Sequence, residues 1–143
     1  MIFISAGNNE LSFIRLFKSF ENIFCKLKKK KLKVICQVGY TDYTNENFHI
    51  VKFLEKKNFN ELVKKSSLFI SHAGAGSVID SIINKKIPIL LPREKKFNEH
   101  IDNHQIELYH KLTKINLASP LNQIYSMSNK KFKRINSKKK IIF

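Results

Sequence analysis

The sequence contains few of the residues that interrupt regular structure, with four glycines and three prolines among 143 residues. No linker rich in Gly, Ser or Pro is found before about residue 118, and no internal repeat is found. No run approaches the roughly 18 apolar residues that a helix needs to cross a bilayer. The opening MIFISAGNNE lacks the basic start and long apolar core of a signal peptide. We therefore expect one globular, cytoplasmic domain.

Cysteine is also scarce. Cys25 falls in an apolar-rich helix candidate and Cys36 in a strand candidate. Neither has a CxxC neighbour or a histidine at the spacing of metal ligands. A disulfide or a metal site is therefore disfavoured, and we predict two buried free thiols in a reducing compartment.

Acidic residues are outnumbered. The 11 Asp and Glu face 27 Lys and Arg, which gives a formal net charge of +16 and a pI near 9.9. Such a balance favours an anionic partner, either nucleic acid, an acidic membrane surface or a phosphorylated substrate. A codon bias of the source genome would explain the spread of lysines equally well. Nucleic acid is the weakest of these interpretations, since the basic runs KLKKKK and NSKKKI contain no aromatic residue.

What the chain does contain is a regular alternation of apolar strands and amphipathic helices. The β-rich runs are MIFIS, LKVICQVG, FHIVKFL, SLFIS and IPILLP, and the helical patterns are Leu11–Phe24, NFNELVKKS, Ser77–Asn84 and Asp102–Leu112. Strands that alternate with helices predict an α/β fold with a Rossmann-like parallel sheet and helices on both faces. We place this domain at residues 1–120. Residues 121–143 are predicted to be a basic tail or terminal helix, either solvated or in contact with a membrane or partner.

Two of the four glycines lie close together in ISHAGAGSVID, between an apolar strand and a helical pattern. We expect Gly74 and Gly76 to adopt positive φ and to let a ligand approach the backbone without a Cβ in the way. The helix predicted to begin near Ser77 would direct free N–H groups and a positive dipole end at a diphosphate. Ser77 would cap this helix or bond a phosphate oxygen, and Asp80 would reach a ribose diol. A tight turn without a ligand is the alternative, because the Walker lysine and the third dinucleotide glycine are absent.

The next strand, IPILLP, leads into a polar segment that should lie on the same rim of the sheet. This segment, REKKFNEHIDNHQIEL, is rich in amide, imidazole and carboxylate groups, namely His100, Asp102, Asn103, His104 and Gln105. Buried sugar hydroxyls each need a hydrogen-bond partner, and these side chains supply donors and acceptors. The two adjacent loops therefore predict a cleft for a nucleotide-sugar.

Three segments together resemble the C-terminal, donor-binding half of glycosyltransferase family 28: SHAGAGSVIDS, KKIPILLPREKKFNEHIDNHQIEL and the opening MIFISAGNNELSFIRLFKSF. The resemblance covers residues 1 to about 118. PREKKFNEH followed by DNHQ is similar to the small subunits of two-part bacterial exopolysaccharide and capsule glycosyltransferases. The cytosolic subunit of the eukaryotic two-part transferase that adds the second N-acetylglucosamine to dolichol diphosphate is similar too.

The resemblance implies half of a GT-B enzyme, with a UDP-sugar as donor and a polyprenyl-diphosphate-linked sugar as acceptor. A second, membrane-associated subunit would hold the acceptor and bring this chain to the inner face of the cytoplasmic membrane. The resemblance also assigns donor contacts: the diphosphate to Gly74, Ala75, Gly76 and Ser77, the ribose to Asp80, the sugar to His104 and Gln105, and the uracil loop to Gln37, Val38 and Gly39. Gly7 matches the glycine of the first loop, which faces phosphate or acceptor. Asn8 departs from the pattern, because relatives have a threonine hydroxyl there.

The implied reaction is attack of an acceptor hydroxyl on the anomeric carbon, with UDP leaving. No DxD-type carboxylate pair is present, so we expect no metal and no cofactor, with helix N–H groups and a basic side chain stabilising the diphosphate. Arg93, Lys95 and Lys96 are the candidates, although solvation at the surface is the favoured explanation for each of them. His72 is the candidate general base. A bond to the loop backbone explains it equally, and the partner could supply the base instead.

Three hypotheses follow. The first is the catalytic subunit of a heteromeric hexosyltransferase in bacterial exopolysaccharide or capsule synthesis. The second is a donor-binding or enhancer subunit with little catalysis of its own, and the third, less favoured, is a basic nucleic-acid-binding protein. The first two require an apolar face for the partner, and the phenylalanine-rich first helix is a candidate for that face.

Overall fold

The computed structural model describes residues 1–27 and 32–127. Six strands are present in these ranges: β1 Ile2–Ser5, β2 Val34–Gln37, β3 His49–Val51, β4 Leu68–Ser71, β5 Ile89–Leu90 and β6 Ser119–Pro120. The four α-helices are α1 Ile14–Lys26, α2 Lys56–Lys65, α3 Ala75–Ile83 and α4 His104–Lys114. Short 3₁₀ helices span Lys95–Phe97 and Leu121–Ser126. The predicted alternation of strands and helices is confirmed.

All six strands pair in parallel, in the order β3-β2-β1-β4-β5-β6. The chain builds the sheet outward from β1 to β3, then returns to the other side of β1 and continues from β4 to β6. This reversal makes the β1–β4 pair the switch point of the sheet. Loops that leave the carboxyl ends of these two strands diverge there, which opens the crevice where open α/β sheets bind ligands.

The sheet is covered on both faces, because successive strand residues point to opposite sides. On one face Ile2 and Ile4 of β1 pack with α1 and with the residues that follow β6. On the other face Phe3 packs with α2, while a smaller apolar cluster joins α3 and α4 to β5. The Rossmann-like fold class is therefore confirmed.

Two local expectations are wrong. The aromatic face of α1 is not free for a partner, since Phe17 and Phe20 are buried in the core of this chain. Cys36 is buried as predicted, and burial raises the pKa of its thiol to about 12. Cys25 is exposed, because it lies near the end of α1 on the side that faces away from the sheet.

The region after residue 120 begins as packed structure. Leu121, Ile124 and Met127 are buried and join the core on the α1 face. The rest of the predicted basic tail lies outside the described residues, as does most of the KLKKKK run. Within the described ranges, no helix combines the length and the apolar character that crossing a membrane requires.

Candidate functional site

A cavity of about 400 Å³ opens at the carboxyl ends of the strands, at the β1–β4 switch point. Loops after four strands and two helices contribute to its wall. Its lining residues are Ser5, Gly7, Asn8, Gln37, Leu54, Lys56, Phe59, His72, Gly76, Ser77 and Asp80. The cavity thus brings together predicted residues of the first loop, the uracil loop and the glycine turn.

The wall that follows β4 is the first turn of α3. This helix begins at Ala75, with Gly74 as its N-cap at φ −82° and ψ 138°, so neither Gly74 nor Gly76 has the positive φ that we expected. Ser77 is inside the helix and is not its cap, which corrects the expected start near that residue. The N–H of Val78 donates to the Gly74 carbonyl at 3.1 Å. The three N–H groups before it precede the first helical bond and are available to an anion.

Gly76 keeps this turn open. A Cβ placed on Gly76 would have no protein atom within 4 Å, and Gly76 lines the cavity. The space beside the free N–H groups is therefore open to a ligand. The diphosphate cradle remains a prediction at this turn, and the open space there comes from the missing side chain of Gly76 and not from an unusual backbone angle.

His72 lies between two glycines at the bottom of the cavity. A Cβ on Gly7 would lie 2.3 Å from its Cε1, and a Cβ on Gly74 would lie 2.3 Å from its Nε2. Gly7 also has φ +75°, a conformation that side chains disfavour. The His72 Nδ1 lies 3.2 Å from Ser71 Oγ, which donates to the Ser5 carbonyl. The imidazole therefore holds the first loop and the glycine turn at a fixed separation.

The environment of His72 keeps it uncharged. Its pKa is lowered to about 4, because burial disfavours the imidazolium and the positive charge of Arg93 repels it. At neutral pH the ring is therefore an uncharged imidazole, with one nitrogen that donates a hydrogen bond and one that accepts. The position of the ring therefore depends on the two glycines, and its neutral state depends on burial and on Arg93.

This pKa predicts an acid-sensitive stability. Between pH 6.5 and about 4 the unfolded chain binds a proton that the folded protein does not, so stability falls as the pH is lowered through this window. The expected contribution is about 3 kcal/mol over the whole window. We expect His72→Gln to flatten the pH dependence of the free energy of unfolding, measured in urea between pH 7.5 and 4. His49→Gln, at an exposed position, is the matched control. An unchanged slope in the His72 variant would contradict the neutral state of His72.

Asp80 faces the cavity from α3, but it is already paired. Its Oδ1 accepts from Lys56 Nζ at 2.5 Å, and the carboxylate is 14% exposed against 69% for the Lys56 side chain. Lys56 is the first residue of α2. The pair connects α2 and α3 across the cavity, and no pattern in the sequence distinguishes Lys56 from the many other lysines.

Gln37 forms part of the cavity floor at the end of β2. Its side chain is buried, and its Nε2 donates to Asn8 Oδ1 at 3.4 Å. Among the described residues, Oε1 has no hydrogen-bond partner. The neighbouring Val38 is buried in the core, and Gly39, with φ +58°, approaches the Gly7 carbonyl closely. Of the predicted uracil loop, the structure therefore brings only Gln37 to the cavity wall.

The polar segment after β5 lies on the same rim but does not line the cavity. His104 is largely exposed at the start of α4, where the Asp102 carboxylate accepts from its Nδ1 at 2.7 Å and raises its pKa. Gln105 is buried, and its Oε1 accepts from the Arg93 backbone N–H at 3.1 Å. The predicted sugar contacts of His104 and Gln105 remain predictions, placed beside the cavity.

Arg93 is not a surface residue. It is 1% exposed, and its guanidinium donates to the carbonyls of three residues: Ala6, Leu11 and Glu99. The expected solvation of Arg93 is therefore wrong. Its charged guanidinium instead donates hydrogen bonds that connect the loop after β1 to the loop after β5. Lys95 and Lys96 are exposed as expected. None of the three lines the cavity.

Besides Ser5 at the end of β1, sequence reasoning missed three wall residues: Leu54, Lys56 and Phe59. They follow β3 and begin α2, so they lie at the carboxyl end of a predicted parallel strand. The rule that ligands bind at such ends was applied to β4 and β5 but not to β3. Applied to every strand, it would have found them.

Comparison with known proteins agrees with this geometry. The model of the glycosyltransferase family 28 C-terminal domain matches residues 1–140. A protein of Candida albicans named UDP-N-acetylglucosamine transferase subunit ALG13 is 35% identical over 78 residues, which are 54% of this chain and 25% of that protein. The Homo sapiens protein of the same name is 35% identical over 87 residues, 57% of this chain and 7% of its own length. The chain thus spans a quarter or less of these relatives.

Solved structures show the same fold. A glycosyltransferase of kitacinnamycin has a TM-score of 0.62 at 12% identity, with 94% of this chain and 33% of that chain covered. The calicheamicin glycosyltransferase CalG4 has a TM-score of 0.59 at 13% identity, with 96% and 34% covered. The match covers about one third of the length of each of these enzymes. In fold, the chain corresponds to the Rossmann-like C-terminal half of a GT-B architecture.

Proposed function

Because this chain belongs to glycosyltransferase family 28, as a C-terminal domain of that family, we propose that it binds a UDP-sugar and acts as the catalytic donor subunit of a two-chain glycosyltransferase. The observation that carries the proposal is the open first turn of α3. Gly76 leaves space beside free helix N–H groups, with Ser77 and Asp80 on the same wall. A diphosphate fits such a turn, and its charge is stabilised there by the helix dipole.

In the proposed reaction an acceptor hydroxyl attacks the anomeric carbon of the donor. A new C–O bond to the acceptor forms, the bond from the anomeric carbon to the diphosphate oxygen breaks, and UDP leaves with that electron pair. The free N–H groups of α3 stabilise the growing negative charge on the diphosphate, so no metal is required.

The hydroxyl proton needs an acceptor, and His72 is our candidate within this chain. The ring is neutral at pH 7, with Nε2 beside Gly7 and Gly74 in the cavity wall. A diphosphate bound nearby would favour the imidazolium and so raise the basicity of this nitrogen. A base supplied by the partner is the alternative.

The acceptor and the partner are inferred from resemblance. Both curated relatives are named as subunits, which supports a second chain, and we propose that it is membrane-associated and holds a polyprenyl-diphosphate-linked sugar. The segments PREKKFNEH and DNHQ support a place in bacterial exopolysaccharide or capsule synthesis. On this proposal the chain works at the inner face of the cytoplasmic membrane.

The transferred group is proposed to be a hexose or its N-acetylamino derivative. The names of the relatives favour N-acetylglucosamine, and glucose and galactose are the unmodified hexoses to compare with it. The cavity provides hydroxyl, amide and carboxylate groups for any of the three.

Calorimetric titration with UDP and with UDP-glucose, UDP-galactose and UDP-N-acetylglucosamine tests the proposal. We expect UDP to bind with a Kd between about 1 μM and 1 mM, the range typical of enzyme substrates. ADP serves as the control, and a ranking among the three sugars identifies the donor. If no uridine nucleotide binds, the donor-subunit proposal is overturned. If UDP binds but the chain with its partner transfers sugar equally well when His72 is replaced, the base lies on the other chain.

A further inference from the structure

The chain has a high positive charge, yet little of it reaches the cavity. Of the 27 Lys and Arg residues, Lys56 is the one cation among the described residues that line the cavity. Asp80 is the one anion among them, and His72 adds no positive charge because its ring is neutral. The formal charge of the cavity wall is therefore zero with Lys56 and would be negative without it.

Asp80 creates a difficulty for the proposed ligand. It lies on α3, one helical turn after Gly76 and Ser77, where the diphosphate is proposed to bind. The carboxylate is 14% exposed, so water screens it incompletely. A lone negative charge at this position would repel a diphosphate and offset the attraction of the helix N-terminus.

The contact with Lys56 removes this difficulty. Lys56 Nζ lies 2.5 Å from Asp80 Oδ1, and no other cation lines the described part of the cavity. Lys56 begins α2, so its backbone is fixed on the opposite wall while most of its side chain remains in contact with water. With Oδ1 occupied by the ammonium, Oδ2 is the oxygen left for a ribose hydroxyl.

We propose that Lys56 is a positioning residue for the nucleotide diphosphate, which acts by neutralising Asp80 and not by contacting the phosphates itself. This inference rests on the proposed function, since it assumes a diphosphate at the first turn of α3. It makes affinity depend on the ligand's charge: Lys56 should matter greatly for UDP, less for UMP, and hardly at all for uridine.

The test is a binding series with the full chain. Uridine, UMP and UDP are titrated calorimetrically into the unmodified protein, Lys56→Met, Asp80→Asn and the double variant. We expect Lys56→Met to weaken UDP binding about tenfold, as a unit charge does over a few ångströms near water, and to change uridine binding less than about twofold. The double variant should bind UDP more tightly than Lys56→Met, because the repelling carboxylate is gone.

Lys57→Met is the matched control, because Lys57 is the next residue of α2, is exposed and does not line the cavity. It should leave the whole series unchanged, and Lys56→Arg should retain most UDP affinity. Thermal unfolding of each variant shows that the fold is intact. If Lys56→Met weakens UDP and uridine equally, or if the double variant is no better than Lys56→Met, the inference is overturned. Absence of UDP binding to the unmodified protein would overturn the proposed function instead.

Discussion

Gly76→Val is expected to weaken UDP binding by at least about 100-fold, close to 3 kcal/mol. The valine side chain would project into the space beside the free N–H groups of α3, where the structure has no protein atom within 4 Å of the added Cβ. The diphosphate would lose both its space and its short contacts with those N–H groups. Calorimetric titration with UDP measures the effect directly.

We expect Gly76→Val to remain folded, so a loss of folding would not explain the weaker binding. The position is open, and an added Cβ would not collide with other parts of the protein. Gly76 also lies in the first turn of α3 without a positive φ. Replacing a helical glycine by alanine stabilises a helix by up to about 1 kcal/mol. Gly76→Ala should therefore keep or raise the Tm and show an intermediate loss of affinity. Normal UDP binding by Gly76→Val would mean that the diphosphate binds elsewhere.

Much of the fold could be predicted because its strands are short, apolar and bounded by polar segments. SLFIS became β4 and IPILLP became β5, and parallel pairing placed their loops on one rim. The sequence predicts a start of α3 near Ser77, two residues after the observed start at Ala75. Glycine is a poor helix former in helix interiors, which favours a start after both glycines; in the structure, however, Gly74 is the N-cap, where glycine is well tolerated, and Gly76 is in the first turn.

The parts that could not be predicted depend on contacts between distant segments. The Lys56–Asp80 pair joins residues 24 positions apart in sequence. His72 was recognised by its place before the glycine turn, but its contact with Gly7 required the three-dimensional pairing of β1 and β4. A sequence in which lysine is common everywhere gives no sign of which charge faces a cavity.

Arg93→Met is expected to cost about 3–5 kcal/mol of the free energy of unfolding, because three carbonyls lose their donor at about 1–3 kcal/mol for each that is left buried and unsatisfied. The Arg93 guanidinium donates to three backbone carbonyls at 2.7–3.0 Å and lies 4.6 Å from the ring centre of Phe13. Burial lowers the pKa of Arg93 to about 10, so the side chain is still charged at neutral pH. Methionine would fill part of the volume but leave the three carbonyls without their donor.

Urea unfolding at pH 7.5 measures this loss, with Lys95→Met as the control. Lys95 is two residues away and exposed, so its replacement should change stability by less than about 0.5 kcal/mol. Arg93→Lys tests the geometry, because one ammonium cannot reach carbonyls that a planar fork bonds from two nitrogens. A loss under about 1 kcal/mol for Arg93→Met would show that water replaces the guanidinium, since an unsatisfied buried acceptor alone costs that much.

Replacing Arg93 should also weaken UDP binding in the cavity, although Arg93 does not line it. Two of the three carbonyls, those of Ala6 and Leu11, flank the loop that carries Gly7 and Asn8. The third belongs to Glu99, whose carboxylate accepts from Arg15 at 2.6 Å and so ties the loop after β5 to α1. Arg93 therefore holds the first loop against the loop that begins at the end of β5. A conservative variant that still folds should bind UDP more weakly without any change to a residue that lines the cavity.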